Sequence, residues 1–320
     1  MEKQPLFDIV KLPDKYWQQT GEALVINPQH HSILRRYGIY LREESDNDIY
    51  RLIILSGPPG TGKTVSAKWA GDAWVRDIAV PGNGIIIKTP RLFNENLGKS
   101  PQLAETLIEE IQVSAHNRPT VVIFDDAETI FLARQHSLES RDPTDVMKVT
   151  TAIFHGLDQL RYNPQVLMFA TLNMQQVVDP AIDDRSDFII RFDLPNLYQR
   201  TMILRSKVQG TAGERVLSTL AAATAGMSGR QLAKINMLAY VYGTADPRKK
   251  ITEVDYLRAV GLTSQDTGQE TVTTDMKEEE ELCKNFFFKG FREPSFLQKS
   301  KLLLLSRWFE TPPNSSNFRE

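Results

Sequence analysis

Thiol chemistry is nearly absent from this 320-residue chain, which holds one cysteine, Cys283. A lone cysteine excludes an internal disulfide framework and fits a reducing compartment, so we expect a cytoplasmic protein. Excess charge of one sign is lacking too: 38 Lys and Arg stand against 40 Asp and Glu, a formal net charge of −2. That removes the global basic field on which nucleic-acid binders rely and leaves room only for a local patch, so nucleic acid is not an expected partner. No long apolar run occurs. The richest one near the end, "KLLLLSRWF", is far below the roughly 18 residues that span a bilayer. The start, "MEKQPLFDIVKLPDKYW", has no apolar centre flanked by basic residues and does not read as a secretory signal. Internal repeats and long low-complexity tracts are also missing. What remains is an ordinary globular composition, 41% hydrophobic and 24% charged, at a length that suits a large domain with a smaller companion.

Strands and helices alternate from about residue 50. "RLIILS" (51–56), "IIIK" (85–88), "TVVIFD" (120–125), "VLMFAT" (166–171) and "DFIIRF" (187–192) read as short buried strands. Between them lie helical patterns: one from Gly62 on, with Val65, Trp69, Ala70, Ala73 and Trp74 at helical spacing, one at 101–113 and one at 143–160. Short apolar strands separated by helices imply an α/β fold with a parallel five-stranded sheet covered on both faces. After "DLPN" the pattern turns all-helical. "MSGRQLAKINMLAYVYG" (227–243) reads as one helix, opened by a Ser228/Gln231 capping box, striped by Leu232, Ile235 and Ala239 and stopped at Gly243. Thr252 and Asp255 repeat the capping logic in "ITEVDYLRAV". We therefore expect a lead-in at 1–50, a large α/β domain at 51–195, a small helical lid at 196–262 and a polar linker with an aromatic and basic tail at 263–320. The tail either binds a partner or a membrane surface, or packs back on the core.

"GPPGTGKT" (57–64) follows a strand and opens a helix, as a phosphate-binding loop must. Gly57, Gly60 and Gly62 let the backbone turn its N–H groups inward, Pro58, Pro59 and Thr61 complete the loop, and Val65 follows it into the helix. The helix adds its positive end. Lys63 would reach the β- and γ-phosphates of ATP and Thr64 would take a place on Mg²⁺. Asp125 ends an apolar strand, where the sheet edge lies beside such a loop, and would hold the same ion. Asp126 either orients the attacking water or serves as a supporting acid or helix cap. Asn173 ends another strand, where its amide can bond the water or the γ-phosphate. Arg185 either reaches a neighbouring copy's ATP or makes a surface salt bridge, and Arg230 in "SGR" would report on the γ-phosphate from the lid.

Taken together, "GPPGTGKT", "VVIFDD", Asn173, "DPAI" with Arg185, and "SGR" resemble an AAA+ P-loop ATPase module over roughly residues 1–262. Within it, "FDDAETIFLARQ", "DPTDVMKVTTAIFHGLDQL", "DRSDFIIRFDLP" and "MSGRQLAKINMLAY" resemble the pachytene-checkpoint family, also called thyroid-receptor-interacting protein thirteen. The resemblance implies a homo-oligomer, a hexameric ring, that uses ATP to open a HORMA-domain protein by pulling a segment through its pore. The short bacterial members, which sit beside antiphage signalling genes, look most similar, because about fifty residues before the P-loop leave no room for an adaptor-binding domain. The family's single trans arginine maps to Arg185, and Phe188 stands where many AAA+ proteins have a second. Two departures matter. The expected pore loop, "RLFNENLGKS", carries Asn96 and Leu97 where the family tends to place aromatics. Asp126 replaces a glutamate, drawing the carboxylate back by about 1.3 Å. A misplacement of about 1 Å can cost on the order of 100-fold in rate. Glu128 matches the family's second acid but lies past the strand end. We expect hydrolysis at a reduced rate, with a nucleotide-gated scaffold as the alternative and a nucleic-acid motor disfavoured by the charge balance.

Overall fold

The computed structural model describes residues 7–22, 28–43, 49–92, 100–131, 143–173, 180–208, 212–243 and 250–261. The expected strands are present as β2 (Leu52–Ser56), β3 (Gly82–Lys88), β4 (Thr120–Asp125), β5 (Val166–Leu172) and β6 (Phe188–Arg191). They pair in parallel, with Ile53 opposite both Phe169 and Phe188, and Val122 opposite Met168. The sheet holds one strand more than the sequence pattern gave. β1 (Phe7–Leu12) lies antiparallel on β3, Phe7 opposite Ile87 and Leu12 opposite Gly82, so the order is β1-β3-β4-β5-β2-β6. The segment 1–50 is thus more than a lead-in. After β1 come α1 (Lys15–Glu22) and α2 (Pro28–Glu43), and Trp17, Leu34 and Leu41 are core residues.

Strand burial explains the continuous apolar runs. Every residue of β2 and β5 is buried, because helices cover both faces. On one face, α1, α2 and α3 (Lys63–Ile78) bring Trp17, Leu34, Trp74 and Val75 against Ile53, Leu55, Ile123 and Phe169. On the other, α4 (Ser100–Ala115), the short α5 (Glu128–Phe131) and α6 (Pro143–Leu160) pack Leu107, Phe131 and Ile153 on Leu52, Ile54 and Phe124. α7 (Pro180–Asp183) precedes β6. A third core gathers α8 (Leu197–Val208), α9 (Glu214–Ala223), α10 (Gly229–Leu232), α11 (Ile235–Gly243) and α12 (Glu253–Ala259) around Leu204, Leu220, Leu232 and Tyr256.

The stretch 227–243 is two helices, not one. Lys234 N–H bonds Gln231 O, three residues back, and the chain turns at Ala233 and Lys234 before α11 restarts. The apolar stripe survives the break, since Leu232, Ile235 and Ala239 are all buried, which is why its periodicity reads as continuous. Both expected capping boxes form, Ser228 with Gln231 and Thr252 with Asp255. Among the described residues no helix is long and apolar enough to cross a membrane. Asn96 and Leu97 of the expected pore loop, and the linker and tail from 262 on, lie outside the described residues.

Helices α4 and α6 meet at Gly156, where an added Cβ would fall 2.3 Å from Ile108 Cδ1. Gly156→Val is expected to cost about 1–3 kcal/mol by overpacking, read as a lower urea midpoint with an unchanged slope. A midpoint equal to wild type would show that the two helices can part freely.

Candidate active site

Three strand tips converge at the C-terminal edge of the sheet, at the ends of β2, β4 and β5. The loop leaving β2 is a tight cradle. Gly57 sits at φ 148°, and a Cβ there would lie 1.9 Å from Phe192 O, so only glycine fits. Gly60 sits at φ 79°, with its would-be Cβ 2.9 Å from both Arg230 Cβ and Ser228 Oγ. Thr61 Oγ1 braces the turn by donating to Pro58 O at 2.8 Å. Gly62 caps α3, and the helix's first N–H groups, those of Lys63, Thr64 and Val65, have no partner further back within a helix. Lys63 is buried, its ammonium donating to the carbonyls of Gly57 and Pro58 at 2.7 and 2.8 Å. Burial lowers its pKa below the ordinary lysine value. Glu128, Asp126 and Asp125 oppose that shift in decreasing order, and Arg230 adds to it.

Asp125 is the hub of the acidic side. One carboxylate oxygen accepts both the Thr64 and the Thr171 hydroxyls, each at 2.8 Å. Thr171 Oγ1 in turn accepts the Asp126 N–H at 3.1 Å, and Thr171 O accepts the Ala127 N–H at 2.9 Å. Asp126 is exposed at φ 52°, and its carboxylate accepts the Asn173 side-chain amide at 2.7 Å. The Asn173 backbone N–H donates to Glu128. Lys63, Thr64, Asp125, Asp126 and Asn173, all proposed from sequence, are therefore neighbours. Sequence reasoning missed Thr171. A signal existed: it is a hydroxyl residue near the end of β5, two residues before Asn173.

Arg230 belongs to the same site. It is exposed, its backbone N–H donates to Gly60 O at 3.2 Å, and α10 thereby rests on the loop. Arg185 does not. It precedes β6, whose entry is marked by Asp187 N–H on Leu52 O at 2.9 Å, at the start of β2. The phosphate loop leaves the other end of β2, about 16 Å away at 3.3 Å per residue. Arg185 is clamped by Asp158 of α6, Nε and Nη2 each 2.9 Å from a carboxylate oxygen, with Nη1 on Ala181 O at 2.9 Å and the guanidinium over the Phe154 ring. The bond to Asp158 raises the Arg185 pKa above the ordinary value. Asp187 secures the same end by accepting Tyr37 OH, Tyr50 N–H and Leu52 N–H.

The donor set fits ATP with Mg²⁺. A glycine-lined cradle, a buried lysine and a helix N-terminus suit a polyphosphate. Thr64 and Asp125 offer the hard oxygens that Mg²⁺ selects. Among the described residues no group of three or more His, Cys, Asp or Glu could hold a metal ion.

Residues 53–194 match the family model described as "ATPase family associated with various cellular activities (AAA)". The chain is 30% identical over 178 residues to the pachytene checkpoint protein 2 homolog of Arabidopsis thaliana, covering 53% of this chain and 37% of that protein. It is 29% identical over 274 residues to CD-NTase-associated protein 6 of Pseudomonas aeruginosa, covering 78% and 88%. It thus spans well under half of the plant relative. Its fold matches a chain in the E. coli MS115-1 HORMA:CdnC:Trip13 complex, with TM-score 0.70 at 18% identity over 79% of this chain and 93% of that one. C. elegans PCH-2 matches with TM-score 0.68 at 20% identity over 81% and 76%.

The Lys63 shift has a stability consequence. Its folded pKa is depressed, so the unfolded chain binds more protons, and wild-type stability rises as pH climbs from the folded value towards the ordinary one. At pH 7 the buried charge opposes folding. Lys63→Met, free of nucleotide, is expected to melt at or above the wild-type temperature at pH 7, with the gap narrowing towards pH 10. Calorimetry checks this, and a lower midpoint at every pH would contradict it.

Proposed function

We propose that the chain is a ring-forming ATPase that remodels a protein partner, a reading supported by the match of residues 53–194 to the model of the ATPase family associated with various cellular activities. The observation that carries this is the division of the catalytic set between two ends of one sheet. Lys63, Thr64, Asp125, Asp126, Asn173 and Arg230 gather at one edge, while Arg185 stands at the other. An arginine so far from its own phosphate loop serves catalysis only by meeting a neighbour's. In the single chain its charge is held ready by Asp158 and Ala181 O. The ring is proposed to be hexameric. Exposed Met237, Tyr240, Val241 and Tyr242 give α11 an apolar outer surface suited to subunit contact.

In this reading Gly57 to Val65 cradle the triphosphate and Lys63 exchanges its two loop carbonyls for phosphate oxygens. Thr64 and Asp125 hold Mg²⁺, and Asn173 and Arg230 address the γ-phosphate. In this reading the large domain is the six-stranded sheet with its covering helices, β1, α1 and α2 included, and the lid runs over 196–262. The contact of Arg230 N–H with Gly60 O couples loop to lid, so nucleotide state can move one against the other. The proposed client is a HORMA-domain protein, threaded through the pore within an antiphage signalling system in the cytoplasm. Two likenesses support that choice: the fold match from a complex that contains a HORMA protein, and the relative associated with a CD-NTase. One observation favours a second reading, an ATP-gated scaffold with little hydrolysis: Asp126 is turned outward and tied to Asn173.

Arg185→Ala is expected to lower phosphate release about 1,000-fold or more, the scale of a trans arginine. Lys63→Ala should abolish it. Mixing the two variants should restore part of the rate, because Lys63→Ala subunits lend Arg185 to intact neighbouring sites. No recovery on mixing would refute the shared site. A wild-type rate equal to that of Lys63→Ala, with and without a HORMA partner, would favour the scaffold.

A further inference from the structure

We infer that Glu128, not Asp126, accepts the proton of the attacking water. This rests on the ATPase reading above. Asp126 has the adjacent position in sequence, but the chain leaves β4 there in a left-handed turn and the side chain is exposed. Its N–H is fixed by Thr171 Oγ1 and its carboxylate by the Asn173 amide, so it orients Asn173. With one methylene fewer than glutamate, it also falls short by about 1.3 Å.

Glu128 has the opposite surroundings. It opens α5 and is partly buried, with its carboxylate against the Asn173 backbone N–H at the tip of β5. Its backbone is held on both sides. Ala127 is fully buried and bonded to Thr171 O, while Ile130 and Phe131 are buried and bond back to Ala127 O at 3.0 Å each. Of the three nearby carboxylates, Glu128 acts most strongly on the Lys63 ammonium, the group that would meet the terminal phosphates. A carboxylate anchored on a buried turn and bonded at the tip of β5 is pre-organised in the sense catalysis requires. In the step itself the water oxygen bonds to the γ-phosphorus. The bond to the β,γ-bridging oxygen breaks, and its electron pair leaves with ADP. The water proton passes to Glu128 and on to the phosphate, giving ADP³⁻ and H₂PO₄⁻ from ATP⁴⁻ and H₂O.

Glu128→Gln retains an oxygen able to accept the Asn173 N–H, so it removes basicity while keeping the local bond. It is expected to lower kcat at least about 100-fold, the scale of lost general-base catalysis. KM and the affinity for a fluorescent ATP analogue should stay within about threefold. Nucleotide eluted from the desalted variant after incubation with ATP and Mg²⁺ should be ATP, where wild type yields ADP. Asp126→Asn, which loosens one hydrogen bond to Asn173, should cost only about tenfold. A Glu128→Gln rate near wild type, or equal 100-fold losses in both variants, would overturn the assignment while leaving the ATPase reading intact. A wild-type protein that neither binds nor hydrolyses ATP beyond the Lys63→Ala background would overturn both.

Discussion

One carboxylate oxygen organises the site: Asp125 Oδ1, which receives a hydroxyl from α3 and another from β5 while its own backbone ends β4. Three elements distant in sequence are tied at one atom. The bonds are charge-assisted, stronger than those between neutral groups. They also fix the direction in which the remaining oxygen points, and so where a cation can sit. The arrangement depends on parallel pairing. Only when neighbouring strands run the same way do their carboxyl ends share an edge, and the buried runs of β2, β4 and β5 supply that pairing.

Around this hub the chain accepts local costs. Gly57, Gly60 and Asp126 all take positive φ, and Lys63 is buried with its pKa depressed. The left-handed aspartate and the buried lysine are disfavoured in isolation, whereas glycine takes positive φ freely; packing fixes the turns, with Phe192 against Gly57, the α10 entry against Gly60 and Thr171 against Asp126. Strain of this kind is what sequence-level rules fail to foresee, and it gathers where the chemistry is proposed to occur.

The far end of the sheet is built on another principle. Asp187 gathers three donors and Asp158 grips Arg185 in a two-point fork. A guanidinium matched to a carboxylate in this way is set in direction as well as charge. The two ends are linked by β2, every residue of which is buried.

Legibility followed locality. The phosphate loop, the five parallel strands and both capping boxes could be read because a few adjacent residues fix each of them: glycines for the turn, apolar runs for buried strands, a Ser or Thr with its partner three residues on. β1 was not legible, because an edge strand with mixed burial has a weak pattern until β3 lies beside it. Nor was the break between α10 and α11, since one apolar stripe runs through both. The sequence by itself determined which groups the chain owns and on which elements they ride. Only the tertiary structure decided that Thr171 would orient Asp125, that Asp158 would clamp Arg185, and that Glu128 would meet the Asn173 backbone N–H while Asp126 stayed exposed. Those are contacts between residues 27 to 46 positions apart, and their direction is set by how helices settle on the sheet rather than by any local preference.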